Sequence, residues 1–197
     1  ARPRCRHTRA LSVLDPSGRG QAASNWRGAG SFLGEDLSFR AYFQTAVRGG
    51  PGRFYGIGST TGEAGYYLAH GLEEHGKVIG VAVIKVRLDT LEERWQRARL
   101  EAFVSDENGI IILSSDPARR LKSVRPLTPQ IKERLARSLQ YYWWPLNELQ
   151  PLGRETLADG VEKLTFPANS ETAQGKPHEV AYLAQTRRLA DTPWHFT

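Results

Sequence analysis

The chain repeats itself. Residues 10–24 (ALSVLDPSGRGQAAS) align with residues 101–115 (EAFVSDENGIIILSS) at an offset of 91, pairing Val13 with Val104, Asp15 with Asp106, Gly18 with Gly109 and Ser24 with Ser115. The matches include what a tight turn between two strands most needs: an Asp that bonds its own backbone, then a Gly free to take positive φ. A repeat of this period constrains the 197 residues to two similar sheet units in tandem.

The rest of the first unit follows from periodicity. A Gly- and Ser-rich loop covers residues 25–35. A helix is expected over 37–47, with Asp36 or Ser38 as its cap and Phe39, Phe43 and Val47 on one stripe. Strands are expected over 53–57 and 65–69 around a polar turn at 58–63, and over 78–87. From residue 88 the pattern turns helical, with Leu91, Trp95 and Ala98 on one face, and connects to the second unit. There strand, turn and strand recur, Thr128 and Pro129 open a helix to about 140, and strands are expected over 161–166, 179–187 and from 194, where the chain stops. The fold class is α+β, two antiparallel sheets with flanking helices.

Composition removes several functions. Lys and Arg total 27 against 21 Asp and Glu, a net charge of +6 that raises a polyanionic partner. Outside residues 2–9 these cations are scattered, and no RNP, KH or helix-turn-helix signal accompanies them, so no nucleic acid is expected. With 40% apolar and 10% aromatic residues the chain is an ordered globular protein. Its longest apolar runs, such as 79–86, fall far short of the roughly 20 residues of a bilayer span. The single Cys5 excludes an internal disulfide and a cysteine zinc site, and the five histidines form neither HExxH nor an i, i+4 pair. No metal and no cofactor are expected. The chain lacks Met even at position 1 and carries no signal-peptide pattern, so it reads as an excised fragment or mature domain.

Three features carry chemistry. Lys85 interrupts the apolar run 81–86; it either lies outward with its stem along apolar surface or awaits an anion. Arg40, in FRAYF, either is solvated or looks into a cleft, where its planar fork suits a carboxylate. The turn GIGSTTG (56–62) concentrates hydroxyls and amides; it is not a dinucleotide or Walker loop, because its flanks are strands and its spacing is wrong. Tyr42, Tyr55, Tyr66 and Tyr67 could wall such a site or belong to ordinary core. Two cations and a hydroxyl turn in one unit point to a small dianion. No nucleophile and base accompany them, so the fragment is expected to bind rather than catalyse.

These residues resemble the sensor region of bacterial C4-dicarboxylate sensor histidine kinases of the DctB type. The stretches that carry the likeness are AASNW (22–26), SFLGEDLSFRAYF (31–43), GRFYGIGSTTGEAGYYL (52–68), GVAVIKV (80–86), FVSDENGIIILSSDP (103–117) and YLAQTRRLADTPW (182–194). The resemblance implies a periplasmic, tandem PAS-like (double Cache) fold, with residues 1–9 a divergent leader or stalk remnant. Residues 10–90 would then be the membrane-distal ligand unit, and 91–197 the connector helix and membrane-proximal unit with its last strand truncated.

It further implies that succinate, fumarate or malate binds at Arg40, Tyr42, Tyr55, Ser59, Thr60 and Lys85, with Thr61, Tyr66 and Tyr67 as further choices. No ligand is expected in the second unit, which offers no equivalent of Arg40 and Lys85. The full-length protein would be a homodimeric inner-membrane kinase using ATP, with a response regulator and a dicarboxylate transporter as partners. The alternative is a Cache-type chemoreceptor domain for another small carboxylate or an amino acid; an amino acid would need an acidic partner for its amine, and Glu63 is the nearby candidate.

Overall fold

The computed structural model describes residues 8–28, 30–58, 62–141, 144–149, 151–171, 177–190 and 192–197. The chain divides into two compact units, Ala1–Thr90 with Pro129–Trp144, and Leu91–Thr128 with Pro145–Thr197.

Unit 1 is a five-stranded antiparallel sheet built from β1 (Thr8–Leu14), β2 (Gly20–Ala23), β3 (Gly52–Ile57), β4 (Ala64–Glu74) and β5 (Lys77–Val86), in the order β2-β1-β5-β4-β3. The apolar run predicted as a central strand is β5, paired with β1 on one side and β4 on the other. The short helix α1 (Ala41–Ala46) buries Tyr42, Phe43 and Ala46 in the unit's core, with Leu14, Phe54, Tyr67, Val81 and Val83. Each large side chain removed from water there contributes roughly 1.5–3 kcal/mol.

The helix expected over 37–47 is shorter than its stripe implied. Arg40 is the N-cap residue, in extended conformation (φ −73°, ψ 131°), so Phe39 precedes the helix rather than riding on it. Asp36 accepts the Ser38 N–H at 2.9 Å and shapes a turn in place of capping a helix. Local hydrogen bonding by Asp competes with helical backbone geometry, and here the turn prevails.

Helix α2 (Asp89–Arg97) starts where the sequence pattern changes, and α3 (Pro129–Ser138) opens on its proline. The expectation that the helix opened by Thr128 and Pro129 belongs to the second unit is corrected: α3 groups with unit 1. The reason is hydrogen bonding after its end, where Ile57 N–H donates to the Gln140 carbonyl at 2.8 Å, a long-range bond that no periodicity encodes.

Unit 2 contains β6 (Phe103–Ser105), β7 (Ile111–Ser114), β8 (Lys122–Ser123), β9 (Asn147–Glu148), β10 (Gly153–Thr156), β11 (Val161–Glu171), β12 (Pro177–Gln185), β13 (Arg187–Arg188) and β14 (His195–Phe196). They form a four-stranded sheet β13-β14-β6-β7, a three-stranded sheet β10-β11-β12 and a parallel pair β8-β9. Val104 and the run 110–113 are buried at its core. Glu92 of α2 is buried in this unit; its carboxylate accepts the Ser114 N–H at 2.9 Å and pairs with Arg120 at 3.4 Å.

The repeat holds atom by atom. Gly18 and Gly109 take φ of +92° and +81°. Gly18 N–H donates to the Asp15 carbonyl at 2.9 Å and Gly109 N–H to that of Asp106 at 3.0 Å. Each Asp also accepts two backbone amides on its side chain, from residues two and four positions on. Ser24 Oγ accepts the Leu11 N–H at 2.9 Å, and Ser115 Oγ accepts the Ala102 N–H at 3.0 Å.

Candidate functional site

Residues paired across a sheet project to the same face. In unit 1 the register pairs Phe54 with Tyr67 and Tyr67 with Lys85, so one row of side chains crosses three strands. The row faces the core. Lys85 is 3% exposed, like its face-mates Val81 and Val83, whereas Ile84 is 38% exposed. The outward alternative for Lys85 therefore falls: a strand of period two turned its charged residue inward and an isoleucine outward.

An isolated ammonium in such a place costs several kcal/mol unless it has partners. Lys85 Nζ lies 3.4 Å from the Glu63 carbonyl, 4.0 Å from the Glu63 carboxylate and 5.6 Å from the Tyr67 ring centroid. Space for its stem comes from Gly65, where an added Cβ would sit 2.5 Å from Lys85 Cε.

Arg40 is equally buried, at 3% exposure. As the residue before α1 it leaves the helix face, and its guanidinium donates to the Leu139 carbonyl at 3.0 Å and the Ile57 carbonyl at 3.1 Å. It also lies over the Phe39 and Phe54 rings, at 4.9 Å and 5.5 Å. The solvated reading of Arg40 is thus overturned as well.

Between the cations sits an aromatic stack. Tyr42 and Tyr67 are parallel to within 7°, with centroids 5.3 Å apart, and Phe54 tilts against both. Burial pushes the Tyr67 hydroxyl up to about 12, against the nearby Arg40 charge, which lowers it. Burial, and then the neighbouring Tyr67, raise Tyr42 further, with Arg40 again opposing. Both hydroxyls are therefore protonated donors at physiological pH. Tyr67 Oη is buried and has no hydrogen-bond partner among the described residues. A buried polar atom left so asks for a ligand or solvent group to complete it.

The structure brings Arg40, Tyr42 and Lys85 together around Tyr67. It places Tyr55 on the opposite face of β3, paired with Tyr66 rather than with the Lys85 row. Tyr55 is buried, and its carbonyl accepts from Gln140 Nε2 at 3.1 Å. Ser59, Thr60 and Thr61 lie outside the described residues; of the residues beside them, Gly58 donates its N–H to the Glu63 carbonyl at 3.0 Å. Sequence reasoning missed Phe54, Leu139 and Gln140, and ranked Tyr67 second. Leu139 and Gln140, just after α3, carried no local signal, being 99 and 85 positions from the groups they bind.

The arrangement offers two fixed cations and neutral hydroxyl donors to an anion. Among the described residues no group of three or more His, Cys, Asp and Glu gathers where it could hold a metal, and no helix is long and apolar enough to cross a membrane.

No family model matches the chain. It is 31% identical, over 93% of its length, to the C4-dicarboxylate transport sensor protein DctB of Pseudomonas aeruginosa, and 33% identical over 83% to that of Rhizobium meliloti. The chain spans about a quarter of those relatives, 26% and 27%. Among solved structures, the sensor domain of the V. cholerae histidine kinase DctB superposes with a TM-score of 0.80 at 26% identity, over 95% of this chain and 70% of that one. The ligand-binding domain of the P. aeruginosa amino acid chemoreceptor PctC, at 16% identity and a TM-score of 0.52 over 97% of this chain and 73% of that one, shares the fold alone. In sequence over most of its length, and in its α+β, tandem PAS-like (double Cache) architecture over nearly all of it, this chain resembles the sensor domain of DctB-type C4-dicarboxylate sensor kinases.

Proposed function

We propose that the chain is the periplasmic sensor domain of a two-component histidine kinase and binds C4-dicarboxylates such as succinate, fumarate or malate in unit 1. The observation that carries this reading is the inward row of unit 1, where buried Lys85 and Arg40 stand by the Tyr67 hydroxyl, which has no hydrogen-bond partner among the described residues. Two carboxylates call for two positive partners, and a charge-assisted bond to each exceeds a neutral one in strength. Tyr42 and Tyr67 supply the wall and the neutral donor; Ser59 and Thr60 would add hydroxyls from the turn.

The names of the relatives support the ligand class, since both are C4-dicarboxylate transport sensors. By the same likeness the full-length protein is an inner-membrane, ATP-dependent histidine autokinase acting as a homodimer. A response regulator and a dicarboxylate transporter are its partners. Occupancy reaches the kinase only if the ligand prefers one of two shapes of the domain.

Titration calorimetry of the 197-residue chain with succinate, fumarate and malate tests the reading. Saturable heat that disappears in Lys85→Ala and Arg40→Ala is the expected result. A folded wild-type chain that gives no heat with any of the three defeats it. An amino acid ligand is the weaker reading, because Glu63, its candidate amine partner, already lies 4.0 Å from Lys85 Nζ.

A further inference from the structure

Unit 2 has a cleft of its own, about 240 Å³, between β6, the segment after β8, the start of β10, β11 and β14. It is smaller than the roughly 300–1,000 Å³ clefts that take drug-sized ligands, which restricts a guest to a few carbons. Phe103, Leu164 and Phe166 give it an apolar wall, and the buried Ser105 sits among them.

The charges in the cleft are unequal. Arg154 Nη1 donates to both oxygens of the Glu162 carboxylate, at 3.0 Å and 3.2 Å, so this pair neutralises itself. Arg125 forms no ion pair with any described residue and remains as the surplus cation. Its stem lies flat against the repeated turn: a Cβ at Gly109 would come 3.2 Å from Arg125 Cγ and 3.3 Å from Cδ. On the other side, His195 lines the same cleft, and its Nδ1 is buried with no hydrogen-bond partner among the described residues. Thr186 and Thr197 already bond to each other at 2.8 Å.

We propose that this cleft is a second ligand site, which takes a small aliphatic monocarboxylate: the carboxylate on the Arg125 guanidinium and His195 Nδ1, the chain against Phe103, Leu164 and Phe166. One surplus cation matches one carboxylate. A second carboxylate would lie against the aromatic wall or Glu162, and its desolvation would go uncompensated. The site is independent of the assignment made for unit 1, and it revises the expectation that the second unit binds nothing.

The test follows the imidazole nitrogens of His195 by NMR in the 197-residue chain, with His195→Gln giving the signal assignment, during titration with sodium butyrate and separately with succinate. Butyrate is expected to shift the His195 signals saturably in wild type and equally in Lys85→Ala, which blinds unit 1. Arg125→Ala should weaken that binding about tenfold or more, and Arg125→Lys less. Because the Arg125 side chain is exposed, both variants should fold. The proposal is overturned if butyrate leaves His195 unmoved, if Arg125→Ala binds as tightly as wild type, if the shift vanishes in Lys85→Ala, or if succinate saturates the His195 signals at lower concentration than butyrate. Because the unit 1 reading is followed by heat that depends on Lys85, the two can fail separately.

Discussion

The two units share a turn and differ in what their sheets carry. Around Asp15 and around Asp106 the same backbone amides find the same acceptors, and a glycine at positive φ closes each turn. Beyond the turn the likeness ends. β2 (GQAA) has only its glycine buried, whereas β7 (IILS) is buried throughout. The inward row of unit 1 ends in Lys85, while unit 2 buries Val104 and the run 110–113 at its centre and keeps Arg125 at a cleft. A turn is a backbone problem with few solutions, so the same one serves in both units. A binding row is a side-chain problem and can be rewritten without disturbing the turn that frames it.

The largest expected effect breaks the symmetry of the units directly. Lys85→Ala should lower succinate affinity on the order of a hundredfold, since it removes one partner of a buried charged contact. Arg125→Ala should leave succinate within about twofold, as rim charges do. Equal losses, measured by calorimetry, would end the distinction between the units. Arg40→Ala should in addition lower stability by about 1–3 kcal/mol, because the Leu139 and Ile57 carbonyls lose their donor.

The two turn glycines sharpen the comparison further. A Cβ at Gly18 would meet Ser38 Cα at 2.6 Å, which is backbone, whereas at Gly109 it meets the flexible Arg125 stem at 3.2 Å. Urea unfolding should therefore show a loss of about 2–4 kcal/mol for Gly18→Ala and about 1–2 kcal/mol for Gly109→Ala. The opposite ranking would mean that the turns are not constrained as their surroundings indicate. A third substitution, Gly65→Ala, crowds the buried Lys85 stem from Cγ to Cε and should weaken succinate about tenfold while lowering stability by about 1 kcal/mol, since the stem must shift to admit the methyl group.

The smallest effect is in the pH dependence, which has opposite sign in the two units. In unit 1 the Asp15 carboxyl is held down to about 2, first by the Ser17 hydroxyl and then by the Arg19 amide. The folded chain binds fewer protons than the unfolded one between about pH 4 and 2, so the stability this group contributes above that window is lost as pH falls through it. Asp15→Asn should flatten that loss in acid melts. In unit 2 burial raises Glu92, against the Ser114 amide and Arg120, which lower it. Here the folded chain binds the extra proton above the ordinary glutamate range, so Glu92 favours folding more as pH drops from neutral toward that range. Glu92→Gln should remove that slope.

The repeat, the central strand, the helix opening at Pro129 and the glycine turns were all legible from residue type and spacing, because each is settled within a few neighbours. The start of α1 was not. The stripe Phe39, Phe43, Val47 satisfied helical spacing, yet Asp36 and Ser38 closed a turn that delayed the helix to Ala41. Nor could spacing decide which way Lys85 points, because its outward neighbour is an isoleucine and hydrophobicity alone would reverse the strand.

By itself the sequence determined two tandem sheet units, the charge types available to a ligand and the candidates Arg40 and Lys85. Only the tertiary structure decided that both are buried, that Tyr67 stands with them while Tyr55 does not, and that α3 closes the first unit. The reason is range. A turn is fixed by hydrogen bonds spanning two to four residues, whereas the bonds that place Arg40 and Tyr55 run to Leu139 and Gln140, 99 and 85 positions away, and exist only once the chain has folded.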